Sequence, residues 1–394
     1  MKYLVLLLAV LAVLVTGSIA FAQDSATELP DFARDYIAEK VFAGIDPADP
    51  LIDNSTQILE IPESMREYIS QNDWERGQLA IFGYDKLHVA VDAPDGSVRS
   101  LVFRDGKKRN DKTLDAPRAR VLRRLYSEEL WATPPDPVLQ AWLDKEEVDA
   151  EVQFAAAIEL YEGQDLTLDT ETLERASLNY NDEATRMDDL ARALGALSES
   201  QYANETAWAA LWLISRMDGM KFYREVRENS ICDLETVTAQ LFYENVFYAV
   251  KARNEFAAAS SVTDEDFLQQ VLSPRQTGEP LQRWRRHFYL ALEPEVAGLT
   301  ADQFSEAISL AGSAYSSFYQ YEGATTWEDF GMLSALCVHE GRCEDCSNVN
   351  NAMLRAIGLP AARPIPHGGA TLTATTPGPG SAASVTRRAT ASAA

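Results

Sequence analysis

Apolar positions along this chain change period from one stretch to the next. Between about Leu79 and Phe103 the pattern is strand-like. Leu79–Phe82, Leu87–Val91 and Val98–Phe103 are short and rich in β-branched and aromatic residues, and Asp95-Gly96 marks a turn between the last two. A small antiparallel sheet is predicted there. From about Arg118 onward the period becomes helical. Helices are predicted over Val121–Trp131, Pro137–Tyr161, Glu183–Leu197 and Ala207–Met217, with one long helix or two over Phe222–Ala252. The aromatics Phe242, Tyr243, Phe247 and Tyr248 fit core packing rather than a ligand platform. Thr263–Val271 reads as a capped helix that Ser273-Pro274 breaks. Leu281–Leu292 and Ala301–Tyr321 follow as helices, and a short one lies between Trp327 and Cys343. No repeat of fixed period is present that would make the chain a solenoid.

The last amphipathic segment has the sharpest boundaries. Val349, Met353 and Ile357 recur at helical spacing with Ala352 and Ala356 beside them, Gly358 can close the helix, and Pro360 prevents its continuation. Cys343 therefore falls at the N-terminal end, where unpaired N–H groups and the positive end of the helix dipole favour a thiolate. Arg342 adds to that tendency, and Glu344 and Asp345 oppose it.

The run Gly341-Arg342-Cys343-Glu344-Asp345-Cys346-Ser347-Asn348, with Leu354, Arg355, Ala356, Gly358, Leu359, Pro360 and Ala361 behind it, resembles the nucleophile helix of the transglutaminase-like superfamily. The likeness is to its secreted bacterial members in particular. Glu279-x-Leu281-x-x-Trp284-Arg285 resembles, more weakly, an element that precedes the catalytic core in some of them. The stronger likeness covers a small part of the chain, and the weaker one reaches back to about Val271. The resemblance implies a papain-like cysteine core and acyl transfer. In such chemistry the thiolate attacks a peptide or glutamine-like amide, an acyl-enzyme forms, and water or an amine resolves it. It implies further that a histidine and an aspartate follow on adjacent strands, the histidine within an Asn-His-Ala-Trp run, to exchange protons and orient the imidazole. An upstream indole N–H such as that of Trp327 is a candidate for the oxyanion, against burial as an anchor. No cofactor is called for.

This chain has no Asn-His-Ala-Trp run. After His367 it continues Gly368-Gly369-Ala370-Thr371 into Ala, Ser, Thr, Pro and Gly with two Arg, and without one acidic or aromatic residue. One reading is a low-complexity tail. The other is a shifted reading frame. Joining the last base of each codon to the first two of the next, His367/Gly368 permits Trp, Ala374/Thr375 permits Asn, Thr375/Thr376 permits His, Thr376/Pro377 permits Ala and Pro377/Gly378 permits Trp. The expectation is therefore a parent gene with a full Cys-His-Asp core and a chain that has lost its last two members. His339 and His367 are the nearest substitutes, though a lone histidine is more often structural than catalytic.

Metal binding competes for the same segment. Cys337, His339, Cys343 and Cys346 offer ligands at short spacing for a tetrahedral zinc. Cys343-x-x-Cys346 also reads as a redox pair, without the βαβ context of a thioredoxin-like domain. A structural role for Cys337 and Cys346, buried or disulfide-bonded, is the plainer alternative.

Lys2, the apolar run Tyr3–Val15 and Ala20-Phe21-Ala22 have the form of a signal peptide cleaved before Gln23, which predicts a secreted or periplasmic protein with no membrane span after processing. The formal net charge of −25 repels nucleic acid and anionic lipid. One basic stretch departs from it: Arg104, Lys107, Lys108, Arg109, Lys112, Arg118, Arg120, Arg123 and Arg124. It is read as a solvated turn and helix face, with an acidic partner as the alternative.

The fold class expected is α+β, mostly α. A signal peptide (1–22) precedes an N-terminal α+β region with the small sheet (23–116) and a helical region (117–262). A partial transglutaminase-like core (263–367) and the tail (368–394) complete it. The function expected is an exported cysteine hydrolase or acyltransferase acting on peptide or protein amides, with little or no turnover in this chain. A non-catalytic helical binding protein is the alternative.

Overall fold

The computed structural model describes residues 29–82, 86–162, 166–219, 221–224, 229–316, 320–321 and 330–361. The signal segment, Trp327, His367 and the tail lie outside the described residues. The chain opens with α1 (Asp31–Tyr36), which a π-helical turn continues over Ile37–Val41. In α2 (Pro50–Ser55) Pro50 starts the helix and the Asp49 carboxylate accepts from the Leu51 N–H at 2.8 Å. β1 (Thr56–Ile58), a 3-10 turn over Glu63–Tyr68 and α3 (Gln71–Phe82) lead to β2 (Lys86–Asp92), β3 (Val98–Arg104) and β4 (Lys107–Leu114). The four strands form one antiparallel sheet in the order β1-β2-β3-β4.

Leu79–Phe82 was expected as a strand and is instead the last turn of α3. Trp74 and Ile81, one heptad apart, bury the inner stripe of that helix, while Leu79 is left 66% exposed. A four-residue apolar run carries no period of its own, so the amphipathic helix before it decides its structure.

Both faces of the sheet are covered. Leu87, Val89 and Val91 of β2 with Leu101 and Phe103 of β3 form the cluster under α1, where Phe32 and Tyr36 meet the Phe103 ring edge-on, each with centroids 5.6 Å away. By strand alternation His88, Ala90, Ser100 and Val102 turn to the other face and the main core.

Helices α4 (Ala116–Leu125), α5 (Glu128–Trp131), α6 (Pro137–Leu143), α7 (Ala150–Glu162), α8 (Thr170–Tyr180), α9 (Met187–Ser198) and α10 (Ala203–Met217) follow. The single helix expected over Pro137–Tyr161 is two, because the charged segment Asp144–Asp149 between them has almost nothing to bury. Sequence periodicity missed α8, whose buried face is only Thr172, Ala176 and Tyr180. The stretch Phe222–Ala252 is not one long helix. A hairpin of β5 (Lys221–Arg224) and β6 (Asn229–Cys232) and the short α11 (Asp233–Thr236) come before α12 (Ala239–Glu255), whose four aromatics are buried as expected.

The C-terminal part contains α13 (Asp264–Asp266), continued as a π turn to Val271, then α14 (Trp284–Val296) and α15 (Phe304–Ser316). The pieces β7 (Gln320–Tyr321), α16 (Met332–Val338), β8 (Glu340–Gly341) and α17 (Cys343–Ala356) end it. β7 and β8 pair in parallel, and α14, α15 and α16 all pack on α17. Buried apolar side chains from Leu59 to Leu359 join in one cluster. The protein is thus mostly helical with a small antiparallel sheet, and no helix among the described residues is long and apolar enough to cross a membrane.

Candidate functional site: the start of the cysteine helix

Cys343 occupies the first turn of α17 with its side chain exposed. Arg342 is the N-cap in extended conformation, and Gly358 ends the segment at φ +78° as the sequence requires. The Asp345 carboxylate, almost wholly buried, reaches back to accept from the Arg342 N–H at 2.8 Å and from the Phe330 N–H at 3.2 Å. It thereby satisfies a donor at the helix start and ties that start to the segment entering α16. The Arg342 guanidinium lies 3.8 Å from Asp345 and 4.0 Å from Glu344. The charges that flank the cysteine in sequence are therefore paired with one another in space.

The other thiols have different surroundings. Cys346, one turn on, is half-buried, with the Asn350 amide 3.6 Å from its sulfur, and burial pushes its pKa up to about 11. Cys337 is completely buried on α16, and burial raises its thiol far above the ordinary range. It faces Gly77 of α3, where a Cβ would stand 2.5 Å from its sulfur. Cys232, on the hairpin, directs its sulfur at the Met217 carbonyl, 3.3 Å away. None of the four is in a disulfide.

The zinc candidates Cys337, His339, Cys343 and Cys346 do not assemble. Among the described residues no group of three or more His, Cys, Asp or Glu is placed to hold a metal ion. The reason is the left-handed turn at His339 (φ +60°), which follows a helix that buries Cys337 and sends the chain through β8 before Cys343 emerges at the surface.

The described histidines are buried. His339 is fully buried at the C-cap of α16, its Nδ1 3.3 Å from the Nδ1 of His88 on β2 and its ring 5.1 Å from that of Tyr126. A hydrogen bond between them needs one Nδ1 to carry a proton and the other to accept it. Burial lowers the pKa of each, that of His88 to about 3. His287 is buried between Trp131, stacked at 4.1 Å, and Tyr68 at 5.1 Å. His367 and Trp327 are outside the described residues, so their expected roles have no geometry here.

The two segments singled out in sequence come together along the buried side of α17. Glu279, nearly fully buried, accepts from the N–H groups of Gln276 (2.6 Å) and Thr277 (2.7 Å) and from the Thr277 hydroxyl. The Thr277 oxygen in turn receives the amide of Asn348, on the buried side of α17, at 3.3 Å. Trp284 donates to the Pro274 carbonyl at 2.8 Å. Arg285 donates to Asn245 Oδ1 (2.8 Å) and to the carbonyls of Arg355 (2.8 Å), Val271 (2.6 Å) and Ser273 (3.2 Å). Arg355 closes the arrangement on the carbonyls of Arg275 and Ala361. These polar residues hold α17 against α14. Sequence reasoning placed Glu279, Trp284, Arg285 and Arg355 in motifs without assigning them this task. It missed Thr277 and Asn245, which have no periodic signal.

No family model, curated protein or solved structure matches the chain.

Proposed function

We propose that the protein is an exported transglutaminase-like cysteine hydrolase or acyltransferase, with Cys343 as the nucleophile toward peptide or protein amides. The observation that carries this is an exposed thiol on the first turn of an amphipathic helix whose start is fixed by a buried carboxylate. Such a sulfur can approach a carbonyl carbon while backbone N–H groups face developing negative charge. Acyl transfer further requires a group that protonates the leaving amine. The three described histidines are buried in the core, so the proton carrier and its acid are assigned to the alternative frame after His367. This chain is then a thiol that acylates without efficient turnover.

The test is trapping on the intact chain. Iodoacetamide and a glutamine-peptide chloromethyl ketone are applied separately, with peptide mapping of the adducts. Cys343 is expected to take both reagents before Cys346 and Cys337, and to favour the peptide probe relative to free glutathione. No preference for the peptide probe overturns the nucleophile and leaves the non-catalytic helical binding protein. Sequencing the gene across codon 367 tests the frame separately.

A further inference from the structure

The chain's cysteines differ in what they can reach. Cys337 is sealed in the core against Gly77 of α3, and Cys232 lies on the β5–β6 hairpin with its sulfur at the Met217 carbonyl. Cys343 and Cys346 share the first turn of α17. With Asn350 they fall at i, i+3 and i+7, one stripe of the helix, whereas Asp345, Asn348 and Ala352 belong to the buried stripe. The two thiols also differ in access. Cys343 is exposed, and Cys346 behind it is half-buried, with the Asn350 amide 3.6 Å from its sulfur as a donor that favours the ionised form.

We propose that Cys343 and Cys346 close a reversible disulfide across the first turn of α17, which switches the exposed thiol off under oxidising conditions. Residues three apart on a helix hold their Cβ atoms about 5–6 Å apart, and a disulfide needs about 3.5–4.5 Å. The pair must therefore close by about 1–2 Å. A first turn can supply that shift, because its leading N–H groups have no acceptor within the helix. Its first backbone bond, from the Cys346 N–H to the Arg342 carbonyl, is already long at 3.3 Å. The chemistry is exchange with a low-molecular-weight disulfide such as oxidised glutathione. The Cys343 thiolate attacks one glutathione sulfur, forms a mixed disulfide and expels glutathione thiolate. The Cys346 thiolate then attacks the Cys343 sulfur and expels the second glutathione. Both protein protons pass to the two glutathiones, so one disulfide is reduced as another forms. The order follows from access: the exposed sulfur meets the oxidant, and the half-buried one resolves the adduct. An exported chain meets such oxidants. Control of an enzyme by this bond rests on the cysteine reading above, whereas the bond itself does not.

Mass mapping of the full chain tests this. Reduced protein is incubated with oxidised glutathione at about pH 8, where thiolates are populated, then quenched in acid, unfolded and treated with N-ethylmaleimide. Trypsin cuts after Arg342 and Arg355, so both cysteines leave in one peptide, residues 343–355. That peptide is expected to lose two hydrogens and take no maleimide, while Cys232 and Cys337 take it. Trapping of Cys343 by iodoacetamide before unfolding is expected to fall about tenfold or more and to return with dithiothreitol. Cys346→Ser is expected to stop at a glutathione adduct on Cys343, and Cys343→Ser to leave Cys346 reduced over the same time. Asn350→Ala is expected to slow closure, so that the adduct accumulates before the two hydrogens are lost. Four results overturn the proposal: a stable glutathione adduct on Cys343 in the unsubstituted chain, a dimer linked through Cys343, a bond to Cys232 or Cys337, or thiols that stay reduced. The preference of the reduced chain for the peptide chloromethyl ketone is measured separately, so the bond and the nucleophile can each fail without the other.

Discussion

Two neutral histidines facing each other in the core make stability depend on acid. The folded pKa of His88, about 3, lies below its ordinary value of 6.5, so the unfolded chain takes up the proton first as pH falls. The stability this group contributes is therefore complete above about pH 6.5 and is lost progressively toward about pH 3. By about pH 5 the loss from His88 alone is expected to reach about 2 kcal/mol. Urea unfolding at pH 7 and pH 5 measures it, and equal stabilities contradict the buried pair. Arg285 makes the complementary case of a charge held without a carboxylate, by carbonyls and one amide oxygen. Arg285→Met keeps most of the volume but strips those acceptors, and is expected to cost about 3 kcal/mol or more in denaturant unfolding. At this scale the sequence marked Cys343, Arg285 and Arg355 by motif. It could not show that His339 turns inward, because the left-handed backbone at that residue has no glycine to announce it.

Elements were legible where an apolar stripe was long and its ends were marked. The helix from Cys343, with Gly358 and Pro360 behind it, is where its spacing put it. Leu79–Phe82 and Phe222–Ala252 were misread, since a short apolar run takes its structure from what precedes it and an aromatic-rich stretch suits strand and helix alike. Close approach between elements is the part no periodicity encodes. A Cβ at Gly77 would stand 2.5 Å from the Cys337 sulfur and 2.6 Å from its carbonyl oxygen, because α3 and α16 touch there backbone to backbone. Gly77→Ala is expected to destabilise by about 1–3 kcal/mol despite its higher helix propensity, read as a lower denaturant midpoint. A stabilised variant means that the two helices separate without cost.

For the molecule as a whole, the charge imbalance sets a further expectation. Exposed ion pairs contribute about 0–1 kcal/mol each, whereas a net charge of −25 repels itself across the entire surface. Raising ionic strength from about 0.01 M to about 0.15 M is expected to raise the melting temperature by a few degrees, measured by scanning calorimetry. A falling one says that exposed pairs such as Arg66–Glu63 and Arg175–Asp218 dominate. The mostly helical class, the small sheet, the acidic surface and the cysteine helix are determined by the sequence alone, because propensity, period, capping and charge are local and sum along the chain. Tertiary structure decided which groups meet. It sent Cys337 and His339 into the core and left Cys343 outside. It brought Thr277 to Asn348, and it paired Arg120 and Arg124 of the basic run with Glu295 and Arg123 with Asp92. Those outcomes depend on contacts between residues far apart in the chain, and burial, pairing and exposure are properties of such contacts rather than of any one stretch.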